Sequence, residues 1–148
     1  MKKQTPDVAF ESSRGHYEAD ACILWCFDDR FSDLLETYKK ERGFKYSDVV
    51  ESAGGAKALG VEGNPEQDFI LGQVKASIQL HKTPLIVLMV HIDCGGYGGS
   101  AAFQNNEETE YAHHEAELRK AAGFLRNELP PEVAIETWIA DFDGMRKV

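Results

Sequence analysis

The chain has 148 residues, a hydrophobic fraction of 43% and a formal charge of −9, enough for one globular domain with its own core and short for two. That negative balance argues against a nucleic-acid binder, which needs a basic patch, and against electrostatic docking on an anionic membrane. No apolar run approaches a membrane span and none follows Lys2 and Lys3, so neither an anchor nor a signal peptide is expected and the cytoplasm is the default location.

Residues 1–19 are polar and aperiodic and read as an N-terminal arm; 20–148 read as one α/β domain. "ACILWC", ending at Cys26, is a short apolar run suited to a buried strand. Phe31, Leu34, Leu35 and Tyr38 follow at helical spacing, and Gly43 closes that helix. "YSDVVES" predicts a second strand running into the loop "AGGAK". Asn64 and Pro65 then supply an N-cap and a first helical residue, and Gln67 completes a predicted capping box. Ile70, Val74 and Ile78 carry the buried stripe of this second helix. Beyond Pro84, "LIVLMV" is the strongest strand in the chain. A polar stretch leads to a long helix with Leu118, Ala122, Leu125 and Leu129 on one face, stopped by Pro130 and Pro131. "AIETWIADF" is expected as the last strand.

Strands alternating with helices predict a mostly parallel sheet flanked by helices, and the apolar first and third strands belong at its centre. Right-handed crossovers favour the order 2-1-3-4, with a switch point between strands 1 and 3 where ligands bind beyond the carboxyl ends. "CFDDR" ends strand 1 and "HIDCGGYGG" ends strand 3, so neighbouring strands bring Cys26, His91 and Cys94 to one crevice. Two thiols and an imidazole are zinc ligands, and either Asp28 or a water can take the fourth position. Arg30, two residues on, is placed to hold the Asp28 carboxylate and keep it ionised. Three cysteines, an odd number, do not make a disulfide framework in a reducing compartment. Cys22 lies on the same strand face as Cys26 but deeper, and reads as core.

Cys-x-Asp-x-Arg at Cys26–Arg30, with His-x-x-Cys-Gly from His91, resembles the beta-class carbonic anhydrases. "VVESAGG" and "ETWIADFDG" extend the likeness over roughly residues 20–142. The resemblance implies Zn²⁺ held by Cys26, His91 and Cys94. It gives Asp28 and Arg30 the catalytic positions: the aspartate either ligates zinc at rest or accepts a hydrogen bond from zinc-bound hydroxide. The implied reaction is reversible hydration of CO₂ to bicarbonate by a homodimer. Gly54, Gly55 and Gly95 are candidate substrate contacts, because glycine lets backbone N–H groups approach a small molecule. Alternatives are hydrolysis of carbonyl sulfide or carbon disulfide, or a zinc-bound, metal- or redox-responsive binding module without CO₂ hydration. The family's serine between aspartate and arginine is Asp29 here, and its Arg-Asn before the Ala-Gly turn is Glu51-Ser52. Both changes add a carboxylate near the crevice.

Several other residues have local readings. Asp93 caps the following turn or orients a neighbour, and Lys57 is an anion-attracting group near the crevice. "SAGGAK" lacks the spacing of a phosphate loop. Trp25, Phe27, Phe31 and Tyr97 surround the two motifs, as a pocket lining or as cover for the sheet end. His113 and His114 lie in the polar run "EETEYAHHEAE" and are expected on a solvated helix face, and His16 and His81 on the surface.

Overall fold

The computed structural model describes residues 4–148, so the first three residues of the expected arm lie outside the described residues. Strands β1 (Ala21–Cys26), β2 (Ser47–Ser52), β3 (Leu85–His91), β4 (Ala134–Asp141) and β5 (Gly144–Lys147) form one sheet in the order β2-β1-β3-β4-β5. The first three pairings are parallel. Helices α1 (Ser32–Glu41), α2 (Pro65–His81) and α3 (Glu107–Glu128) supply the crossovers. Among the described residues no helix is long and apolar enough to cross a membrane.

Side chains alternate between two apolar layers. Cys22, Leu24, Ile86, Leu88 and Val90 pack with Val74 of α2 and with Leu118 and Leu125 of α3. Ala21, Ile23, Trp25, Val87 and Met89 pack with Phe31, Leu35 and Tyr38 on the opposite face. Covering both faces explains why β1 and β3 read as unbroken apolar runs instead of alternating ones. Every residue of β1 is buried, as is every residue of β3 except Leu85.

Four local readings are corrected. "AIETWIADF" is not the last strand, because Asp141 accepts a hydrogen bond from the Asp143 amide (2.8 Å) and turns the chain into β5. The new strand runs antiparallel to β4, pairing Trp138 with Lys147 and Asp141 with Gly144. At the start of α2, Asn64 does cap the helix, accepting from the Glu66 amide at 3.0 Å. The capping box is not made, however: Gln67 is buried and donates to the Leu59 carbonyl at 3.0 Å. That carbonyl belongs to a 3-10 helix, Gly55–Gly60, into which the "AGGAK" loop folds. His81 is half-buried, its Nδ1 2.7 Å from Asp48 Oδ2. Finally, the polar run of α3 is not solvated all round. Glu110 and His114 are 1% and 0% exposed. They continue the stripe of Leu118, Ala121 and Leu125, and the segment after β3 covers them, with Tyr97 4.6 Å and Phe103 5.7 Å from the His114 ring.

Near its end the arm is tied down. Tyr17 donates to Asp48 Oδ1 at 2.7 Å, and the Ala19 amide donates to the His81 carbonyl at 2.9 Å.

Leu24 is wholly buried in β1, and Leu24→Ala should destabilise the chain by about 3 kcal/mol. Leu80→Ala, at a residue 71% exposed on α2, should change stability by less than about 0.5 kcal/mol. Equilibrium urea unfolding measures both, and equal effects would contradict the placement of β1 in the core.

Candidate metal centre

The centre follows from where the central strands part. The β1–β3 ladder is paired through Leu24 and Leu88, and Cys26 stands two residues beyond its last rung. A crevice therefore opens between the two chain segments as each leaves the sheet. Cys26 ends β1 and His91 ends β3. Cys94 follows a tight loop in which Asp93 takes a left-handed conformation (φ 56°). All three side chains are buried, and one ligand atom of each lies within 4.8 Å of the others.

The donor set fits a soft cation. The two sulfur atoms are 3.9 Å apart; two thiolates bound at about 2.3 Å to one tetrahedral zinc would be separated by about 3.8 Å. His91 Nδ1 lies 2.8 Å from the Ile92 carbonyl and donates to it, which fixes the tautomer and leaves Nε2 as the free base. That Nε2 is buried without any hydrogen-bond partner in the protein. A buried polar atom left unpaired is costly and calls for a ligand, an ion or a water.

Proton affinities in the crevice follow the same geometry. The contact with Cys94 lowers Cys26 against the opposing effect of burial, helped by His91 and by the Asp28 and Gly54 amides. The same contact, reinforced by burial, pushes Cys94 up. The pair thus gives up its first proton readily and its second reluctantly, until a cation replaces it. Burial acts to lower His91, but the Cys26 sulfur, the Ile92 carbonyl and Asp28 outweigh it and raise the imidazole.

Asp28 stands at the rim, its Oδ2 3.8 Å from His91 Nε2. Arg30 grips it with NH2 at 2.6 Å from Oδ2 and Nε at 3.0 Å from Oδ1. These contacts, against slight desolvation, hold the Asp28 carboxyl down at about 2. The guanidinium also reaches the other loop, donating to Asp93 Oδ2 and to the Asp93 carbonyl, both at 3.0 Å. Arg30 therefore spans the two segments that carry the thiols.

Of the glycines singled out in the sequence, Gly54 and Gly55 are buried and Gly95 is exposed. Gly55 (φ 59°) has no room for a side chain, since a Cβ would sit 2.2 Å from the Met89 carbonyl oxygen. Nothing lies within 4 Å of the corresponding position on Gly95. Lys57 donates its ammonium to the Gly96 carbonyl and lies 5.1 Å from the Tyr97 ring, so it clamps the glycine loop. Phe31 packs on His91 with ring centroids 4.3 Å apart, and Phe27 lies exposed beside the crevice motif. Trp25 is in the core beneath α1. Asp29 is exposed and accepts from the Ser32 hydroxyl, and Glu51 is exposed on β2.

Two neighbours escaped the sequence reading. Phe142 packs on Phe31 at 5.5 Å with Arg30 over its ring. Glu110 accepts from the Asp93 amide at 2.7 Å. Its only sequence signal is its register, because 110, 114, 118, 121 and 125 form one helical stripe.

Fold and site together define an α/β domain with a candidate cation centre at the carboxyl ends of its central strands. The chain belongs to the carbonic anhydrase family: a family model described as "Putative carbonic anhydrase" matches residues 17–148. Its structural likenesses include a beta-class carbonic anhydrase. A carbonic anhydrase from Streptococcus mutans superposes with TM-score 0.61 at 22% identity, covering 90% of this chain and 83% of that one. Isoform I of the Trichomonas vaginalis beta-carbonic anhydrase gives 0.61 at 15% identity, covering 94% and 87%. A carbon disulfide hydrolase gives 0.58 at 16%, covering 88% and 80%. At such identities the likeness concerns the fold. No curated protein sequence matches the chain.

Alkylation of the metal-free protein with iodoacetamide at pH 6, mapped by mass spectrometry, should label Cys26 before Cys94 and Cys22. Burial pushes the Cys22 thiol up to about 12, and only a thiolate reacts. First labelling at Cys22 or Cys94 would contradict the assigned order of proton loss.

Proposed function

We propose that the protein is a zinc-dependent carbonic anhydrase that hydrates CO₂ reversibly to bicarbonate. The observation that carries this reading is the buried convergence of two thiols with an unpartnered imidazole nitrogen, in a chain of the carbonic anhydrase family. Cys26, His91 and Cys94 hold the metal, and two thiolates balance its double positive charge. Zinc in this position supplies a Lewis acid able to make a nucleophile of water near neutral pH.

The remaining work falls to the chain's own side chains. Asp28 stays ionised and accepts a hydrogen bond at the open side of the centre. Arg30 fixes the direction of that carboxylate and, through Asp93, ties it to the Cys94 loop. The Ile92 carbonyl keeps the His91 proton on Nδ1, so Nε2 is always the ligand atom. Phe31 and Phe142 keep one flank apolar, which suits a small uncharged substrate. Gly95 leaves room for it, while the Gly54 amide supports the Cys26 thiol. The active species is a cytoplasmic homodimer.

A second reading has one observation in its favour. Asp28 Oδ2 lies 3.8 Å from His91 Nε2, near enough to close the fourth position and leave a zinc-bound module without turnover. Hydrolysis of carbonyl sulfide or carbon disulfide would use the same residues on another linear electrophile.

Purified protein should carry about one zinc per chain, lost in Cys26→Ser. Stopped-flow CO₂ hydration should rise with pH, vanish in His91→Ala, and fall about a hundredfold in Asp28→Asn with zinc retained. Zinc-loaded protein silent towards CO₂ at every pH would leave the module or another substrate. Sedimentation velocity should give a dimer; a fully active monomer would overturn that part.

A further inference from the structure

We propose that Glu110 is a positioning residue of this centre, holding the loop that aims Arg30 at Asp28; the inference rests on the catalytic reading of Asp28 and Arg30. Glutamate is rarely buried without a partner, and Glu110 is 1% exposed. Both its oxygens serve the segment after β3. Oε1 accepts from the Asp93 amide at 2.7 Å, and Oε2 accepts from the Ser100 hydroxyl at 2.7 Å. The carboxylate lies in the first turn of α3, where the helix dipole favours negative charge. Behind it stands His114, wholly buried, its Nε2 3.5 Å from Oε1.

What Glu110 fixes is a residue in an uncommon conformation. Asp93 has φ 56°, a left-handed backbone that a non-glycine residue keeps only when its surroundings impose it. In that conformation its Oδ1 accepts from the Ser100 amide at 3.0 Å, and its Oδ2 and carbonyl both accept from Arg30. Arg30 is itself 46% exposed in its side chain, so burial does not immobilise it. Its contacts with Asp28 alone would let the pair swing as a unit. The two Asp93 bonds set its direction, and Glu110 is the buried anchor of Asp93. One connected path therefore runs from α3 through the loop bearing Cys94 to the carboxylate at the rim.

The test compares Glu110→Gln and Glu110→Ala with wild type in the full chain. Gln is isosteric and its nitrogen can donate to the Ser100 hydroxyl, but it loses the charge that strengthens the bond from the Asp93 amide, so the anchor is weakened even where the alanine variant fails to fold. The first readout needs neither metal nor turnover: the Arg30 guanidinium NMR resonances of the metal-free protein. They should move towards those of a freely exposed arginine in Glu110→Gln, as in Asp93→Ala, and stay in place in Leu118→Ala on the same helix. The second readout is CO₂ hydration by zinc-loaded protein. In Glu110→Gln, kcat should fall about tenfold to a hundredfold with zinc content unchanged. The double variant with Arg30→Ala should be no slower than Arg30→Ala alone. Arg30 resonances that stay in place in Glu110→Gln, or rate losses that simply multiply, would overturn the proposal. Wild-type protein without CO₂ turnover would instead count against the function proposed above, and the resonances would still decide the role of Glu110.

Discussion

Two sulfur atoms 3.9 Å apart and nearly removed from water, facing an imidazole nitrogen with no partner, are an arrangement the protein cannot satisfy with its own groups. Two buried thiolates repel each other, two thiols are weak hydrogen-bond formers, and an unpaired Nε2 forfeits the bond it had in water. The chain accepts that cost at one place, where β1 and β3 separate, and supports it with amides. The Asp28 and Gly54 N–H groups stabilise negative charge on Cys26, and those of Gly96 and Tyr97 do the same for Cys94. Left-handed backbone at Gly54, Gly55 and Asp93 lies in the same two segments.

The rim is held by a different device. Asp28, Asp93 and Glu110 are three carboxylates close to one another in a chain already acidic, with Arg30 as the cation joining the first two. Mutual repulsion would open such a group. It stays closed because each carboxylate has its own donors: Arg30 for Asp28, the Ser100 amide and Arg30 for Asp93, the Asp93 amide and Ser100 hydroxyl for Glu110. In the same way Arg30, half exposed, derives its order from directed bonds, with the Phe142 ring against its guanidinium.

The frame of this arrangement was legible because it rests on strong local signals. Unbroken apolar runs mark β1 and β3 as two-sided core strands, and their adjacency follows from crossover handedness, which brings Cys26, His91 and Cys94 to one crevice. The misreadings have a common physical cause. β5 is four residues long with no alternation, and a hairpin partner alone defines it. Glu110 and His114 are polar residues on a buried stripe: their polarity suggests exposure, although register puts them in line with Leu118. Capping rules assign Gln67 to its own helix end, yet a neighbouring carbonyl from the Gly55–Gly60 turn claims it. Each error concerns a polar group whose partner lies far away in sequence, where periodicity and capping rules carry no information.

The charge distribution also bears on which molecule suits the crevice. Two thiolates cancel a divalent ion, and Arg30 cancels Asp28, so the negative charge left at the proposed centre is that of Asp93, which shares the same guanidinium, and of Glu110 behind it. Around it stand the exposed Asp29 and Glu51 and a chain of net charge −9. Lys57, the one cation the glycine loop could have offered an anion, is engaged by the Gly96 carbonyl and the Tyr97 ring. A negatively charged molecule therefore meets an opposing field on approach, while a small uncharged one meets open space at Gly95 and an apolar flank at Phe31 and Phe142. In the proposed reaction that asymmetry would favour release of the anionic product, and added salt would weaken the effect by screening the carboxylates.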